Sequence, residues 1–305
     1  MKIEVKNLKK RFGEKEVLRD ISFSTESGKA LGLLGRNGAG KTTTIRIIMG
    51  VFYQDGGEVL SDGKPLNREQ IQIGYLPEER GLYPKKPITE QLIYFGLLKG
   101  LSKQQARDSA KKWLERMGMN EYKDKKLETL SKGNQQKIQL AATLLCNPKL
   151  IILDEPFSGL DPVNAMLLKD VIREMIDNGS AVIFSSHQMN YIEEFCEDIV
   201  ILNAGQIAVS GNISEIKRSY PRNIIRISSV QADKITPFII RSAGDEIESA
   251  EKDSKSDIVT VKLKNAEYKN SLMQSLLQEG FDIDCFKVKE PSLNDIFVQY
   301  TEGGI

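Results

Sequence analysis

Apolar residues along the chain fall into two kinds of run. "KIEVK", "ALGLLG", "LIILDE", "AVIFSS" and "DIVIL" are continuous or alternating stretches rich in β-branched residues, the mark of strands, and helical spacing separates several of them. That alternation predicts an α/β domain with a mainly parallel sheet. Between about Glu79 and Gly133 the spacing changes, and "ITEQLIYFGLLKGL" and "KQQARDSAKKWLERMG" carry apolar residues three and four apart, with Gly118 as the stop of the second. A helical insertion over about 79–133 is expected there. After the turn signal Tyr220-Pro221, "NIIRIS", "DIVTVKL" and "FDIDCFKV" read as strands, with "AEYKNSLMQSLLQEG" as an amphipathic helix. The pattern therefore predicts two domains, 1–220 and 221–305, the second small and α+β.

Composition narrows the classes. A chain of 305 residues, 40% hydrophobic and 28% charged, has room for two packed cores and is neither disordered nor fibrous. A net charge of +1, with no strong positive excess in either part, argues against a nucleic-acid partner. No segment approaches the roughly 18–20 uninterrupted apolar residues that span a bilayer, and the start "MKIEVKNLKKRF" lacks the apolar core of a secretory signal. Work at a membrane would need a partner to supply the span. Cys146, Cys196 and Cys285 are odd in number and far apart, and His187 is the only histidine, so neither a disulfide framework nor a histidine metal cluster is expected. A reducing cytoplasm fits.

The strongest chemical signal is "GLLGRNGAGKTTTIRIIMG", in which Gly35 to Thr42 satisfies GxxxxGK(S/T) between an apolar strand and a helical pattern. The glycines let backbone N–H groups turn inward around phosphate oxygens, and the helix beginning near Lys41 aims its positive end at them. The expected phosphate contacts are Gly35, Arg36, Asn37, Gly38, Ala39, Gly40, Lys41, Thr42 and Thr43. Lys41 would add charge at the β- and γ-phosphates, and the Thr42 hydroxyl would ligate Mg²⁺.

In "LIILDEP" four apolar residues run into two carboxylates, which places the acids at the C-terminal end of a buried strand, where open α/β sheets bind ligands. Asp154 suits Mg²⁺ held through its water shell. Glu155, pointing the other way along the pleat, suits polarising an attacking water. His187 follows the strand "AVIFSS" and reaches the same edge, where it suits the γ-phosphate.

These motifs, in this order, resemble the nucleotide-binding subunit of an ATP-binding cassette (ABC) transporter over roughly Met1 to Gly211. "GRNGAGKT" matches the P-loop, "LSKGNQQK" stands where the family carries LSGGQ, "LIILDEP" matches Walker B, "SGLD" the D-loop and "SSH" the switch histidine. The resemblance implies a P-loop NTPase domain with a helical signature subdomain, and ATP and Mg²⁺ as ligands. It further implies that Phe12 stacks on adenine, unless it is an ordinary core residue, and that Asp161 couples two sites. Glu78 would meet Mg²⁺ or the water where the family usually has Gln.

By the same resemblance Ser131 and Gly133 cap the γ-phosphate of a second subunit, with Lys132 and Asn134 as departures that leave this pair intact. The loop "IGYLPEERGLYP" would couple to a separate transmembrane permease, and "YFGLLKG" is either core or part of the groove that receives it. The implied protein is the ATPase subunit of an exporter, peripheral on the cytoplasmic face. Its tail "EPSLNDIFVQYT" resembles the sodium-, antibiotic- and multidrug-export branch. An import ATPase, or a soluble ABC ATPase of translation or DNA repair, are the alternatives.

Overall fold

The computed structural model describes residues 1–79 and 81–302. Arg80 of the expected coupling loop and the last three residues of the expected C-terminal domain lie outside the described residues. Contacts divide the chain into a larger unit, Met1–Ile213 with Phe297–Ile305, and a smaller one, Ser214–Ile296.

The larger unit begins with β1 (Lys2–Phe12), β2 (Lys15–Glu26), β3 (Ala30–Gly35) and helix α1 (Lys41–Ile48). Strands β4 (Gly56–Ser61), β5 (Lys64–Pro65) and β6 (Ile73–Leu76) follow, then helices α2 (Ile88–Leu98), α3 (Lys103–Arg116) and α4 (Lys132–Leu144). Next come β7 (Leu150–Asp154), α5 (Pro162–Asp177), β8 (Ala181–Ser185), α6 (Met189–Phe195), β9 (Asp198–Asn203) and β10 (Gln206–Asn212).

A six-stranded sheet runs β10-β9-β3-β8-β7-β6, parallel except for the edge strand β10. Every residue of β3, β7 and β8 is buried, as befits central strands covered on both faces. A second, antiparallel sheet, β2-β1-β4-β5, was not legible as a separate layer in the sequence. One hydrophobic core joins the two sheets: Ile3, Val5, Leu8 and Ile21 of the antiparallel sheet, Ile45, Ile47 and Ile48 of α1, and Leu33, Ile152, Ile183 and Val200 of the parallel one. Each such fully buried aliphatic side chain contributes about 1.5–3 kcal/mol, so α1 is fixed by packing rather than by its modest length.

Helix α3 starts from a capping box, Ser102 with Gln105, and buries Ala106, Ala110, Trp113 and Leu114 on one stripe. The expected helices α2 and α3 are both present, and α4 opens at the signature stretch.

The smaller unit carries most of α7 (Ile213–Ser219), then β11 (Ile224–Ser228), α8 (Ala232–Ser242), β12 (Ile247–Lys252), β13 (Ile258–Leu263), α9 (Lys269–Gln278) and β14 (Cys285–Val288). The last helix, α10 (Leu293–Glu302), begins in this unit. All pairings are antiparallel in the order β12-β13-β11-β14, which with the βαββαβ succession is the ferredoxin-like arrangement. Of the expected strand "FDIDCFKV" only Cys285–Val288 pairs. Helix α8 and strand β12 were not expected from sequence, since Pro237 lies inside the helix and masks its periodicity.

Among the described residues no helix is long and apolar enough to cross a membrane. No disulfide joins the cysteines: Cys196 is buried, Cys146 half-buried and Cys285 exposed.

Candidate nucleotide site

Strand β3 delivers the chain to the C-terminal edge of the parallel sheet, where it must turn at once into α1. Two glycines make the turn possible. A Cβ on Gly35 (φ +151°) would lie 2.6 Å from the Leu202 carbonyl oxygen, and one on Gly40 (φ +112°) 2.5 Å from Leu18 Cδ2. Arg36, Asn37 and Gly38 are exposed at the crown of the turn, while Ala39 and Gly40 are buried at its return. Gly40 caps α1 without a side-chain hydrogen bond, which leaves the first-turn N–H groups available to an anion.

Lys41 folds back over this turn, its Nζ donating to the Gly35 oxygen at 2.5 Å and the Arg36 oxygen at 3.4 Å. Thr42 is exposed and Thr43 half-buried. Thr44 is the structural threonine, buried and donating to the Gly40 oxygen at 2.9 Å.

Strands β7 and β8 end beside it, paired in parallel with Asp154 opposite Ser185. Asp154 and Glu155 are each only 7% exposed. The strand stops at Asp154, and Glu155 adopts a left-handed conformation at φ +49°. Glu155 therefore lies beyond the pleat, and this backbone turn sets its direction. Ser186 Oγ donates to Glu155 Oε2 at 3.0 Å, and the His187 backbone N–H donates to Oε1 at 2.7 Å. The imidazole Nε2 of His187 lies 3.6 Å from Oε1. Ser186, not singled out by sequence, is thus the side chain that holds Glu155; its place in "SSH" was the available signal.

Burial pushes both carboxyls above the ordinary range; for Asp154 the charge of Glu78 adds to the push, while Ser185, Lys41 and His187 oppose it. Burial likewise pushes the Lys41 ammonium down, against the pull of Asp154, Glu155 and Glu78. Glu78, exposed on the segment after β6, therefore shares the electrostatics of this edge.

No three His, Cys, Asp or Glu side chains among the described residues converge as a self-sufficient metal site. One buried carboxylate, hard oxygen donors and a phosphate turn nevertheless suit Mg²⁺, which takes one or two carboxylates and fills its shell with phosphate oxygens and water.

The remaining expected residues do not join this edge. Ser131 caps α4, accepting from the Asn134 N–H at 3.3 Å. Gly133 is buried, and a Cβ there would lie 2.6 Å from Asn164 Nδ2 and 3.6 Å from Asp161 Oδ2. Asp161 caps α5, accepting from the N–H groups of Val163 at 3.1 Å and Asn164 at 3.0 Å, and these bonds hold its carboxyl below the usual range. Gly133, Asn164 and Asp161 thus meet one another, with Ser131 two residues before Gly133 at the start of α4.

Phe12 is 45% exposed and no part of the core. Its ring meets Phe52 edge to face at 5.3 Å, with Lys10 Nζ 5.3 Å from its centroid. In "YFGLLKG", Tyr94, Leu97 and Leu98 are likewise exposed, so core packing does not account for the stretch. Tyr83 stacks on Phe95 at 5.9 Å and bounds a cavity of about 320 Å³ with Lys86, Glu90, Gln91 and Tyr94.

The chain matches the family described as "ABC transporter" over residues 18–158. It is 40% identical to the uncharacterized ABC transporter ATP-binding protein YhaQ of Bacillus subtilis (strain 168), with 97% of each chain covered. The chain belongs to the ABC transporter ATP-binding proteins. This family hydrolyses ATP to power transport.

Residues 211–301 match a second family, "ATP-binding protein DrrA1-3-like, C-terminal domain". The linearmycin resistance ATP-binding protein LnrL of Bacillus subtilis (strain 168) is 31% identical over 98% of each chain. Among solved structures, one titled "Structure of ATP binding subunit of ABC transporter" superposes with a TM-score of 0.66 at 31% identity, covering 72% of this chain and 92% of that one. ABC ATP-binding subunits work with transmembrane permeases and generally as dimers.

Proposed function

We propose that this ABC ATPase powers an exporter, sits on the cytoplasmic face of the membrane through a separate permease, and works as a homodimer that closes on ATP. Export is supported by the match of residues 211–301 to the DrrA1-3-like C-terminal domain and by the likeness to a linearmycin resistance protein.

The observation that carries the catalytic reading is the convergence of Lys41, Asp154, Glu155 and His187 on one edge of the sheet. The turn Gly35–Thr43 cradles the phosphates and Lys41 neutralises the β- and γ-oxygens. Mg²⁺, when bound with the nucleotide, neutralises phosphate charge; Thr42, Asp154 and Glu78 are the residues to hold it. Glu155 orients the attacking water, and His187, next to it, contacts the γ-phosphate. Phe12 offers adenine an exposed ring face. Ser131 and Gly133 face the γ-phosphate in a second subunit, and Asp161 links the two sites. The aromatic cavity at Tyr83 and Tyr94 receives a helix of the permease.

Glu155→Gln tests this reading. ATP binding is expected to survive, turnover to fall about 10²–10⁴-fold, and the protein to elute as a dimer with ATP on size exclusion. A variant that stays monomeric with saturating ATP would sink the paired-subunit mechanism.

A further inference from the structure

The glycine of a phosphate-binding signature is ordinarily explained by close approach of a ligand to its backbone. Here the space that Gly133 leaves is taken by the chain itself. Gly133 is buried, and the nearest atoms to a Cβ built on it belong to Asn164: Nδ2 at 2.6 Å and Cγ at 3.3 Å. A contact below 3 Å is relieved only by moving the neighbour, and moving the Asn164 amide breaks the bond that its Nδ2 donates to Asp161 Oδ2.

One further contact ties α4 to the segment that leads to Asp161: Gln136 Nε2 donates to the Pro156 oxygen at 3.1 Å.

We propose that Asn164 is a positioning residue that locks the start of α4 to the Asp161 loop, and that residue 133 is glycine to admit the Asn164 amide. The lock rests on the reading that Ser131, Gly133 and Asp161 act in a dimer closed by ATP. It deepens that reading, because a signature pinned to Asp161 moves with the loop that links the two sites.

The experiment is a double-mutant cycle in the Glu155→Gln background, with ATP-driven dimerisation followed by analytical ultracentrifugation, thermal unfolding by calorimetry, and ATP affinity of each chain by titration. Gly133→Ala is expected to weaken dimerisation at least 10-fold, and Gly133→Ala with Asn164→Ala to be no weaker than Asn164→Ala alone. Asn164→Asp keeps the volume, loses the donor and sets a second carboxylate against Asp161; it is expected to weaken dimerisation with single-chain ATP affinity kept. The cycle also covers a folding failure, since the Asp variant preserves packing at Gly133.

Equal damage from Gly133→Ala with and without Asn164 would overturn the proposal, as would Asn164→Asp dimerising like its parent. If the Glu155→Gln parent itself fails to dimerise, the paired-subunit reading falls. The lock is then tested on stability alone: Gly133→Ala must lower the unfolding temperature with Asn164 present and not with Asn164→Ala, and the absence of that difference overturns it.

Discussion

At the edge of the parallel sheet, Lys41 opens α1 just beyond β3, and Asp154, Glu155 and His187 lie at and just beyond the ends of β7 and β8, strands the sheet holds side by side with β3, whereas Ser131 and Asp161 cap α4 and α5. The first group is electrostatically uncomfortable: burial raises two carboxyls and lowers one ammonium. The second is at ease, with Ser131 and Asp161 each accepting backbone N–H groups of its own helix and Asp161 held low. Charge that the fold disfavours is available to favour a ligand of complementary charge. The contrast marks the sheet edge, with the start of α1, as the place where charge is held at a cost, while the starts of α4 and α5 are satisfied within the chain.

The largest effect that would break this contrast is Lys41→Ala. Removing the charge-assisted phosphate contact proposed for this half-buried lysine is expected to cost roughly 3 kcal/mol, about 100-fold in ATP affinity by calorimetry. Unchanged affinity would move the binding energy away from the sheet edge.

Next comes Asp154→Asn, which separates stability from function. A raised carboxyl pKa means that the fold disfavours the ionised form. The favourable contribution of the protonated group is complete below the ordinary carboxylate range and is lost as pH rises through the folded value. At neutral pH a neutral isostere removes that penalty. The nucleotide-free variant is expected to be about 1 kcal/mol more stable in thermal unfolding while losing turnover. A drop in stability would show that Asp154 is better satisfied than its surroundings indicate.

Ser131→Ala is the smallest and sharpens the other side of the comparison. Loss of the α4 cap is expected to cost about 1 kcal/mol in denaturant unfolding, with ATP affinity of the isolated chain unchanged. A matching loss of single-chain affinity would place Ser131 at its own nucleotide and erase the distinction between the two groups.

Much of the sheet edge was legible because its parts are local. A strand, a glycine turn and a helix start are adjacent along Gly35 to Thr42, and Asp154 and Glu155 end a run of apolar residues. Ser186 escaped notice because its hydroxyl matters only through a bond to Glu155, 31 positions earlier in the chain. Asn164 escaped for the same reason, since nothing in "DPVNAM" points to Gly133. The antiparallel sheet was missed because β4 and β5 are short and gain stability from pairing with the long β1 and from the shared core, not from their own pattern. In the smaller unit, Pro237 concealed a helix that Ile235 and Ile239 nonetheless bury.

The sequence by itself determined the phosphate turn, the acidic strand end and the α/β alternation, because spacing fixes backbone conformation and burial over a few residues. Tertiary structure alone decided which way Glu155 faces and what holds it. It also decided that the Asn164 amide lies where a Cβ on residue 133 would meet it, and that Phe12 and Tyr94 stand exposed. Each of these depends on atoms brought together by sheet register or helix packing across dozens of residues, where a change of ångströms turns a contact into a gap and local pattern carries no record of it.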